Sequence, residues 1–310
     1  MMQSEARPRV AILGAGAMGT LFAYHLAEFN DVTLVDVRGD VVDTINEIGG
    51  VQLDDSPVRN VAATRDATKA FATNYLFVFV KAHNTLAAIR PFAGQLNPAT
   101  PIVSLQNGLG NEEAIKAALG GTVPLVIGIT NEAGISVGHG RSRRQGVGAT
   151  VVGSAGASTE TVRGVQKLLT AASLDCAIAY DIRPHQWGKL LANAVINPIS
   201  ALTDAKNGIV ASDPDAAELA RAVALESAAV AQALKINLPF ADPWEYVRTI
   251  VASSSEGRNS LTIDLAARLK TEIDYVNGAI VSAGRRLGVP TPYNEALTRL
   301  VRAKENASRS

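Results

Sequence analysis

The chain has 310 residues, 47% of them hydrophobic, and its 29 Lys and Arg residues balance its 29 Asp and Glu residues. This length accommodates two domains, and the neutral balance gives no electrostatic basis for binding nucleic acid. No apolar run reaches the length of a membrane span and no signal region follows the N-terminus. Together with a single cysteine, Cys176, this predicts a soluble cytoplasmic protein with neither a membrane partner nor an intrachain disulfide.

The first strong pattern is a glycine-rich turn between a short apolar strand, Val10–Leu13, and a predicted helix. The three glycines of its G-x-G-x-x-G pattern would make the tight turn, admit a pyrophosphate close to the backbone, and let the helix pack on the strand. The helix would direct N–H groups and a partial positive charge at that pyrophosphate. The residues predicted to contact a dinucleotide here are Gly14, Gly16, Ala17, Met18 and Gly19.

The second predicted strand, Val32–Val35, leads directly into an acidic residue, Asp36. A carboxylate at this position accepts hydrogen bonds from the adenosine ribose hydroxyls and repels a 2′-phosphate, which favours NAD(H). Arg38 instead favours NADP(H), because a guanidinium folded back over the adenosine can pair with the 2′-phosphate of that cofactor. We therefore predict that Asp36 and Arg38 both contribute to the cofactor site, with NAD(H) favoured and NADP(H) as the alternative.

Alternating strands and helices continue through the first half of the chain, which predicts a parallel sheet covered on both faces. The further predicted strands are Leu76–Val80, Ile102–Leu105, Val123–Ile129, Val147–Val152 and Cys176–Tyr180, with a helix near Thr159–Ala172. Between positions 134 and 148 the sequence is rich in glycine and arginine, and we predict a solvated basic loop there.

From about Arg183 the apolar spacing becomes helical throughout. The predicted helices are His185–Ala205, Ala216–Leu234, Trp244–Ser253, Leu261–Leu269 and Glu272–Leu287. The sequence thus predicts an α/β protein with an N-terminal Rossmann dinucleotide-binding domain over residues 1–181 and a C-terminal all-helical domain over residues 182–310. We expect a small-molecule site in a cleft between the two domains, and any homodimer to use the helical domain.

A polar stripe on the first of these helices is the strongest candidate for a catalytic site. Lys189, Asn193 and Asn197 are four residues apart and share one helix face. Such a stripe can be the solvated side of an amphipathic helix, but the apolar residues around it leave little solvent-facing surface. A buried lysine requires a partner or a function. Glu272 and Asp274 are the available acids; helix capping is their alternative explanation, and spacing does not choose between them.

With these motifs in order, the chain resembles the ketopantoate reductase family (2-dehydropantoate 2-reductases) over essentially its whole length. The matching blocks are Gly14–Gly19, Val80–Ala82, Gln106–Gly110, Trp187–Lys189, Asn193, Ile196–Pro198 and Thr271–Gly278. The resemblance implies reduction of a 2-oxo acid, a small-molecule partner, by nicotinamide hydride. The strand ending at Asp36 looks more like the related NAD-dependent D-2-hydroxy acid dehydrogenases, so a branched or aromatic 2-oxo acid is the alternative substrate.

The resemblance also implies roles for individual residues. Lys189 matches the catalytic lysine that hydrogen-bonds the substrate carbonyl oxygen and donates the proton, and Glu272 matches the acid that helps to hold the active site. Asn193 and Asn197 match amides that bind substrate hydroxyl groups. Ser260 matches the residue that holds the substrate carboxylate.

Two further cofactor contacts follow from the same resemblance. Asn107 matches the asparagine near the nicotinamide, and Lys81 matches the lysine at the preceding strand end; loop capping and surface charge are the alternative explanations. No metal is expected, because the four histidines show no ligand spacing with carboxylates or the cysteine. A dinucleotide-binding regulator without catalysis is the remote alternative, but it would not need this set of polar residues.

One departure from the family concerns the substrate end of the site. The family usually carries an asparagine three residues before the serine at Ser260, and this chain has Gly257 there. Arg258 and Asn259 are close by, so we expect the hydroxyl and carboxylate contacts to be rearranged around them.

Overall fold

The structure is a computed structural model that describes residues 7–120 and 123–307. It divides into two compact units, of which the first comprises Met1–Gln106 and Asn111–Ile182, and the second Asn107–Gly110 and Arg183–Ser310. The short segment Asn107–Gly110 therefore belongs to the second unit although it lies within the sequence of the first. Among the described helices, none combines the length and hydropathy needed to cross a membrane.

Eleven strands form two sheets in the described part of the first unit. In chain order they are β1 (Arg9–Leu13), β2 (Asp31–Val35), β3 (Gln52–Leu53), β4 (Ala62–Thr64), β5 (Tyr75–Val78), β6 (Ile102–Ser104), β7 (Leu125–Thr130), β8 (Ala133–Gly138), β9 (Arg141–Gly146), β10 (Thr150–Ser154) and β11 (Cys176–Ile178). The larger sheet has the order β11-β10-β7-β6-β5-β1-β2-β4. All its neighbours pair in parallel except β7 and β10, which are antiparallel.

The helices of this unit are α1 (Ala17–Leu26), α2 (Gly39–Glu47), α3 (Thr85–Ile89), α4 (Asn111–Leu119) and α5 (Thr159–Ala171). Alternate residues of the central strand β1 enter different cores: Val10 and Ile12 belong to one, Ala11 and Leu13 to another. Both faces of the sheet are therefore covered, and this is why β1 is a continuous apolar run without polar alternation.

The prediction of a basic loop at positions 134–148 is wrong. Most of this segment forms the antiparallel hairpin β8–β9, which joins β3 in a three-stranded sheet. Only the inner side of the hairpin is covered, so its strands carry glycine and arginine rather than an apolar run. Arg144 Nη2 lies 2.8 Å from Oε2 of Glu132, whose side chain is only 2% exposed. The guanidinium thus neutralises a buried carboxylate.

The described residues of the second unit form helices and no strand, which confirms the predicted α/β class with a helical C-terminal region. The helices are α6 (Arg183–Leu202), α7 (Ile209–Ser212), α8 (Pro214–Ala233), α9 (Pro243–Ser254), α10 (Ser260–Ala266), α11 (Asn277–Leu287) and α12 (Pro292–Ala307). The single helix predicted over Glu272–Leu287 is instead a 3-10 turn at Ile273–Tyr275 followed by α11. Helix α12 was not predicted, because Asn294, Thr298 and Glu305 lie on its buried face and interrupt the apolar spacing.

Helix α6 lies at the centre of this unit. Its apolar residues are buried around most of its circumference, and α8, α9, α10 and α12 all contact it. A helix that is covered in this way cannot leave a polar stripe in solvent. The polar stripe of Lys189, Asn193 and Asn197 is therefore at least half-buried, whereas Arg183 at the start of the helix is exposed.

We predict that Arg144→Ala lowers the free energy of unfolding by about 3 kcal/mol, because it leaves the Glu132 carboxylate buried without its cation. Urea denaturation measures the effect. Arg143→Ala is the matched control: Arg143 is exposed on the same strand, so its loss should change stability by no more than about 0.5 kcal/mol. Equal effects of the two substitutions would contradict the role assigned to Arg144.

Candidate active site

The glycine turn of the first unit has the geometry that a dinucleotide pyrophosphate requires. Gly14 has φ +98°, a conformation that favours glycine, and its N–H donates to the Val35 carbonyl at 2.9 Å. A Cβ on Gly19 would collide with the carbonyl oxygen of Gly14, so glycine at 19 is needed for α1 to begin directly behind the turn. A Cβ on Gly16 would meet no atom within 4 Å. The backbone is thus exposed at the one glycine that should face the phosphates.

The N-terminus of α1 has neither a side-chain cap nor an acidic residue of its own that would compete with an anion. Gly16 is its N-cap without a side-chain hydrogen bond, and the first turn contains no acidic residue. Gly16, Ala17 and Met18 are partly exposed, whereas Gly19 is buried. The first N–H groups of the helix can therefore hold a phosphate, and the residues present fit the predicted dinucleotide.

Asp36 follows β2 and is only 8% exposed. Each of its oxygens accepts two hydrogen bonds: Oδ1 from the backbone N–H (3.0 Å) and Nε (2.9 Å) of Arg38, and Oδ2 from Arg38 Nη2 (2.8 Å) and the Ala15 N–H (2.8 Å). Burial alone would raise the pKa of this carboxyl, but the hydrogen bonds from Arg38 and Ala15 outweigh it and hold the pKa below its usual value. These four bonds fill the acceptor sites of the carboxylate and tie it to the glycine turn.

Lys81 lies in the connection after β5, directly before a 3-10 turn at Ala82–Asn84. The strand ends at Val78, two residues earlier than predicted, so Lys81 is a loop residue. The connection is fixed by Gln106, whose Nε2 donates to the Val80 carbonyl at 2.7 Å. The structure therefore places Lys81 in the first unit, on a loop that is held in place.

The second unit contains a small cavity that gathers five of the predicted site residues. Its lining comprises Asn107, Asn193, Asn197, Ser260, Leu261, Asp264, Glu272 and Val276. These residues come from α6, α10, the segment around the 3-10 turn at Ile273–Tyr275 and the segment Asn107–Gly110. The cavity lining among the described residues does not include Lys189, which lies one helical turn before Asn193 on α6.

Asn107 reaches this cavity because its loop contacts the 3-10 turn at Ile273–Tyr275. The Leu109 N–H donates to the Tyr275 carbonyl at 2.9 Å. Gly108 has φ +79°, and a Cβ there would lie 2.5 Å from the same carbonyl oxygen. Glycine is therefore required at 108 on both counts, and the turn that carries Glu272 also positions Asn107.

Lys189 is half-buried among the apolar residues of α6. Burial lowers the pKa of its ammonium from 10.5 to about 8, and the negative charge of Glu272 opposes that shift. A lysine with a pKa near neutrality can both stabilise negative charge and release a proton. The second candidate acid, Asp274, is engaged elsewhere, since it accepts from Arg302 Nε at 2.7 Å. The tertiary structure thus decides between the two acids that spacing left open.

Asp264 lines the cavity and is only 6% exposed, but the sequence did not single it out. It lies four residues after Ser260 and therefore shares that residue's face of α10. This i, i+4 pair of polar residues was the available signal. On a short helix it cannot be distinguished by sequence from an ordinary solvated face.

The neighbours of Gly257 are engaged in contacts within the second unit. Arg258 Nη1 lies 2.8 Å from Oδ1 of Asp204, and the Asn259 side chain accepts from the Thr262 N–H at the start of α10. A Cβ on Gly257 would lie 3.2 Å from the Ser254 carbonyl oxygen and 3.5 Å from Nδ2 of Asn207. Neither Arg258 nor Asn259 is among the residues that line the cavity.

Comparison with known proteins identifies relatives across the whole chain. Residues 10–157 match the family model for ketopantoate reductase PanE/ApbA, and residues 181–305 match the model for its C-terminal part. A 2-dehydropantoate 2-reductase from Pyrobaculum aerophilum is 34% identical over 301 residues, which cover 96% of this chain and 99% of the relative. One from Archaeoglobus fulgidus is 32% identical and covers 96% and 98% of the two chains.

Solved structures give the same result. A PanE/ApbA family ketopantoate reductase from Ralstonia eutropha JMP134 is similar with a TM-score of 0.88 and 29% identity, covering 97% of this chain and all of that one. A D-mandelate dehydrogenase, solved with NADH and anilino(oxo)acetate, has a TM-score of 0.86, 25% identity and the same coverage. From the glycine turn to the helices that line the cavity, the chain belongs to the ketopantoate reductase PanE/ApbA family.

Proposed function

We propose that this protein reduces 2-dehydropantoate to pantoate with a hydride from a nicotinamide cofactor. The observation that carries the proposal is the cavity of the second unit, where neutral amides, a serine hydroxyl and Glu272 converge one helical turn from Lys189. In this proposal, residues 1–181 hold the cofactor, with Asn107 near the nicotinamide, and residues 182–310 hold the 2-oxo acid. The family's nicotinamide-dependent reductases supply the reaction type.

The residues of the second unit suit this chemistry. NAD(P)H, when bound, supplies the hydride, and its arrival at the keto carbon leaves negative charge on oxygen. The Lys189 ammonium stabilises that charge and donates the proton. Glu272 keeps Lys189 protonated by raising its pKa. Asn193 and Asn197 bind the substrate hydroxyl, and Ser260 binds the carboxylate without adding negative charge.

We further propose that the cofactor is NAD(H). Asp36 supports this because its buried carboxylate holds the guanidinium of Arg38, the group that would otherwise pair with a 2′-phosphate. A ribose hydroxyl can displace the half-exposed guanidinium of Arg38 from the carboxylate at modest cost. A 2′-phosphate would have to take Arg38 away from Asp36 and then lie beside an uncompensated buried negative charge.

A substrate comparison tests the proposed activity. We expect 2-dehydropantoate to give a higher kcat/KM than phenylglyoxylate, the 2-oxo acid that corresponds to mandelate, because amides that bind hydroxyls gain nothing from a phenyl ring. Steady-state reduction of both compounds under the same conditions measures the ratio. A preference for the aromatic compound would contradict the proposal and favour the D-2-hydroxy acid dehydrogenase alternative.

We predict that Lys189→Ala lowers kcat by about two to four orders of magnitude, because the variant loses both the proton donor and the positive charge. In the unaltered protein, kcat/KM for reduction should be constant below pH 8 and fall about tenfold per pH unit above it, as the ammonium with a pKa of about 8 deprotonates. The variant should lack this alkaline decline. Titration of the cofactor should give a nearly unchanged Kd, and near-normal turnover would contradict the assignment.

Glu272→Gln should move the alkaline decline to lower pH. The Glu272 charge raises the pKa of Lys189, so its removal lets burial lower that pKa further and depletes the protonated acid at neutral pH. The pH profile of kcat/KM is the measurement. If the midpoint stays in place while thermal stability falls, Glu272 has a structural role only.

The cofactor proposal predicts a higher kcat/KM with NADH than with NADPH. Asp36→Asn keeps an oxygen for the Ala15 N–H but releases Arg38, so the NADH/NADPH ratio should fall about tenfold, equivalent to about 1.4 kcal/mol. Arg38→Ala is the companion variant and should not lower the ratio. A clear NADPH preference in the unaltered protein would show that Asp36 does not exclude the 2′-phosphate.

A further inference from the structure

Helix α6 contains a proline at a position that affects the candidate site. Pro198 lies inside the helix and has no N–H, so it cannot donate to the carbonyl oxygen of Ala194 four residues earlier. Both residues are buried. A buried carbonyl without its helical donor requires another one, and Ala194 directly follows Asn193, which lines the cavity.

The missing donor comes from Asn277, the first residue of α11. Its Nδ2 donates to the Ala194 carbonyl at 2.8 Å, and the side chain is completely buried. The same Nδ2 donates to Oδ1 of Asn294 at 3.0 Å. Asn294 is itself oriented by Glu226, whose carboxylate accepts from the Asn294 N–H at 2.9 Å and from its Nδ2 at 2.8 Å. The orientation of the Asn277 amide is therefore fixed from two sides.

Asn277 is tightly coupled to the turn that carries Glu272. The N–H groups of Tyr275 and Val276 both donate to the Glu272 carbonyl, at 2.9 Å and 3.2 Å. One compact turn thus joins the acid to Asn277, and the other end of this turn is held by the Thr271 N–H, which donates to Glu305 Oε1 at 2.8 Å. Anchoring Asn277 to α6 fixes this turn against the helix that bears Lys189.

We propose that Asn277 is a positioning residue for the Lys189–Glu272 pair: Pro198 exposes one carbonyl of α6, and Asn277 uses it to hold the Glu272 turn at a set distance from Lys189. The inference rests on the proposed catalytic roles of Lys189 and Glu272. The same anchor holds the Asn107 loop in position, because that loop donates a hydrogen bond to the Tyr275 carbonyl on the turn that carries Glu272.

Asn277→Ala tests this role by its kinetics rather than by stability alone. Loss of the anchor lets the Glu272 turn move, so its charge acts less strongly on Lys189. We expect kcat to fall at least tenfold, and the alkaline midpoint of kcat/KM to move down by several tenths of a pH unit, while the Kd of the cofactor is unchanged. Unaltered kcat and an unaltered midpoint would overturn the proposal.

Pro198→Ala separates positioning from simple satisfaction of the carbonyl. Alanine at 198 restores the helical N–H, so in the double variant Pro198→Ala/Asn277→Ala the Ala194 carbonyl has a donor again. We expect the double variant to regain most of the Tm lost in Asn277→Ala but to keep its shifted pH profile, since the turn is still unanchored. Recovery of the pH profile together with Tm would show that Asn277 acts on stability only. The double variant also serves if Asn277→Ala alone does not fold.

Asn30→Ala is the matched control. Asn30 is a buried amide in the first unit whose Nδ2 also donates to a helix carbonyl, that of Leu26, at 2.8 Å. Its loss should lower Tm without moving the pH midpoint. The proposed function has its own test: an active Lys189→Ala variant would refute it whatever Asn277 does, whereas an inactive Lys189→Ala with a normal Asn277→Ala profile would refute only this inference.

Discussion

The burial of the Lys189 ammonium is the constraint around which the second unit is arranged. A charge on a helix that is packed by apolar residues is costly, and burial accordingly lowers the pKa of this lysine to about 8. Without the opposite charge of Glu272 the pKa would fall further. Glu272 must therefore lie where its charge acts on Lys189. Much of the surrounding structure serves that position: the 3-10 turn, Asn277 on the Ala194 carbonyl, and Glu305 on the Thr271 N–H.

The constraint on the first unit is different, because its backbone has to approach the pyrophosphate of the proposed cofactor closely. Its solution depends on the absence of side chains, with Gly14 and Gly19 allowing the turn to contact the helix and Gly16 leaving the surface open. Asp36 adds a charged contact to this neutral frame, since one of its oxygens accepts from the Ala15 N–H within the turn. A residue expected to meet only the ribose thus also stabilises the turn that is proposed to hold the pyrophosphate.

The apolar pattern predicted the strands of the larger sheet well where both faces are buried, as in β1. It failed where one face is solvated or the buried face is polar. The β8–β9 hairpin has the sequence pattern of a loop because its covered side includes Arg144, which pairs with the buried carboxylate of Glu132. Helix α12 lacks the apolar pattern because two polar residues on its buried face have distant partners: Asn294 donates to Glu226 of α8, and Glu305 accepts from the Thr271 N–H. Both failures occur where a distant partner makes a polar residue suitable for the interior.

The sequence by itself determined the glycine turn, the acid after the second strand and the polar stripe of α6, because backbone sterics and helical periodicity are local. It could not choose between Glu272 and Asp274, detect Asp264 in the cavity, or connect Asn107 to residues more than 80 positions away. Those outcomes depend on which groups meet in space. Arg302 donates a hydrogen bond to Asp274, and the loop that carries Asn107 donates one to the Tyr275 carbonyl. Asn277 donates to the carbonyl of α6 that a proline leaves without its helical donor. Only the tertiary structure decides them, since each hydrogen bond joins residues whose spacing along the chain carries no information about their contact.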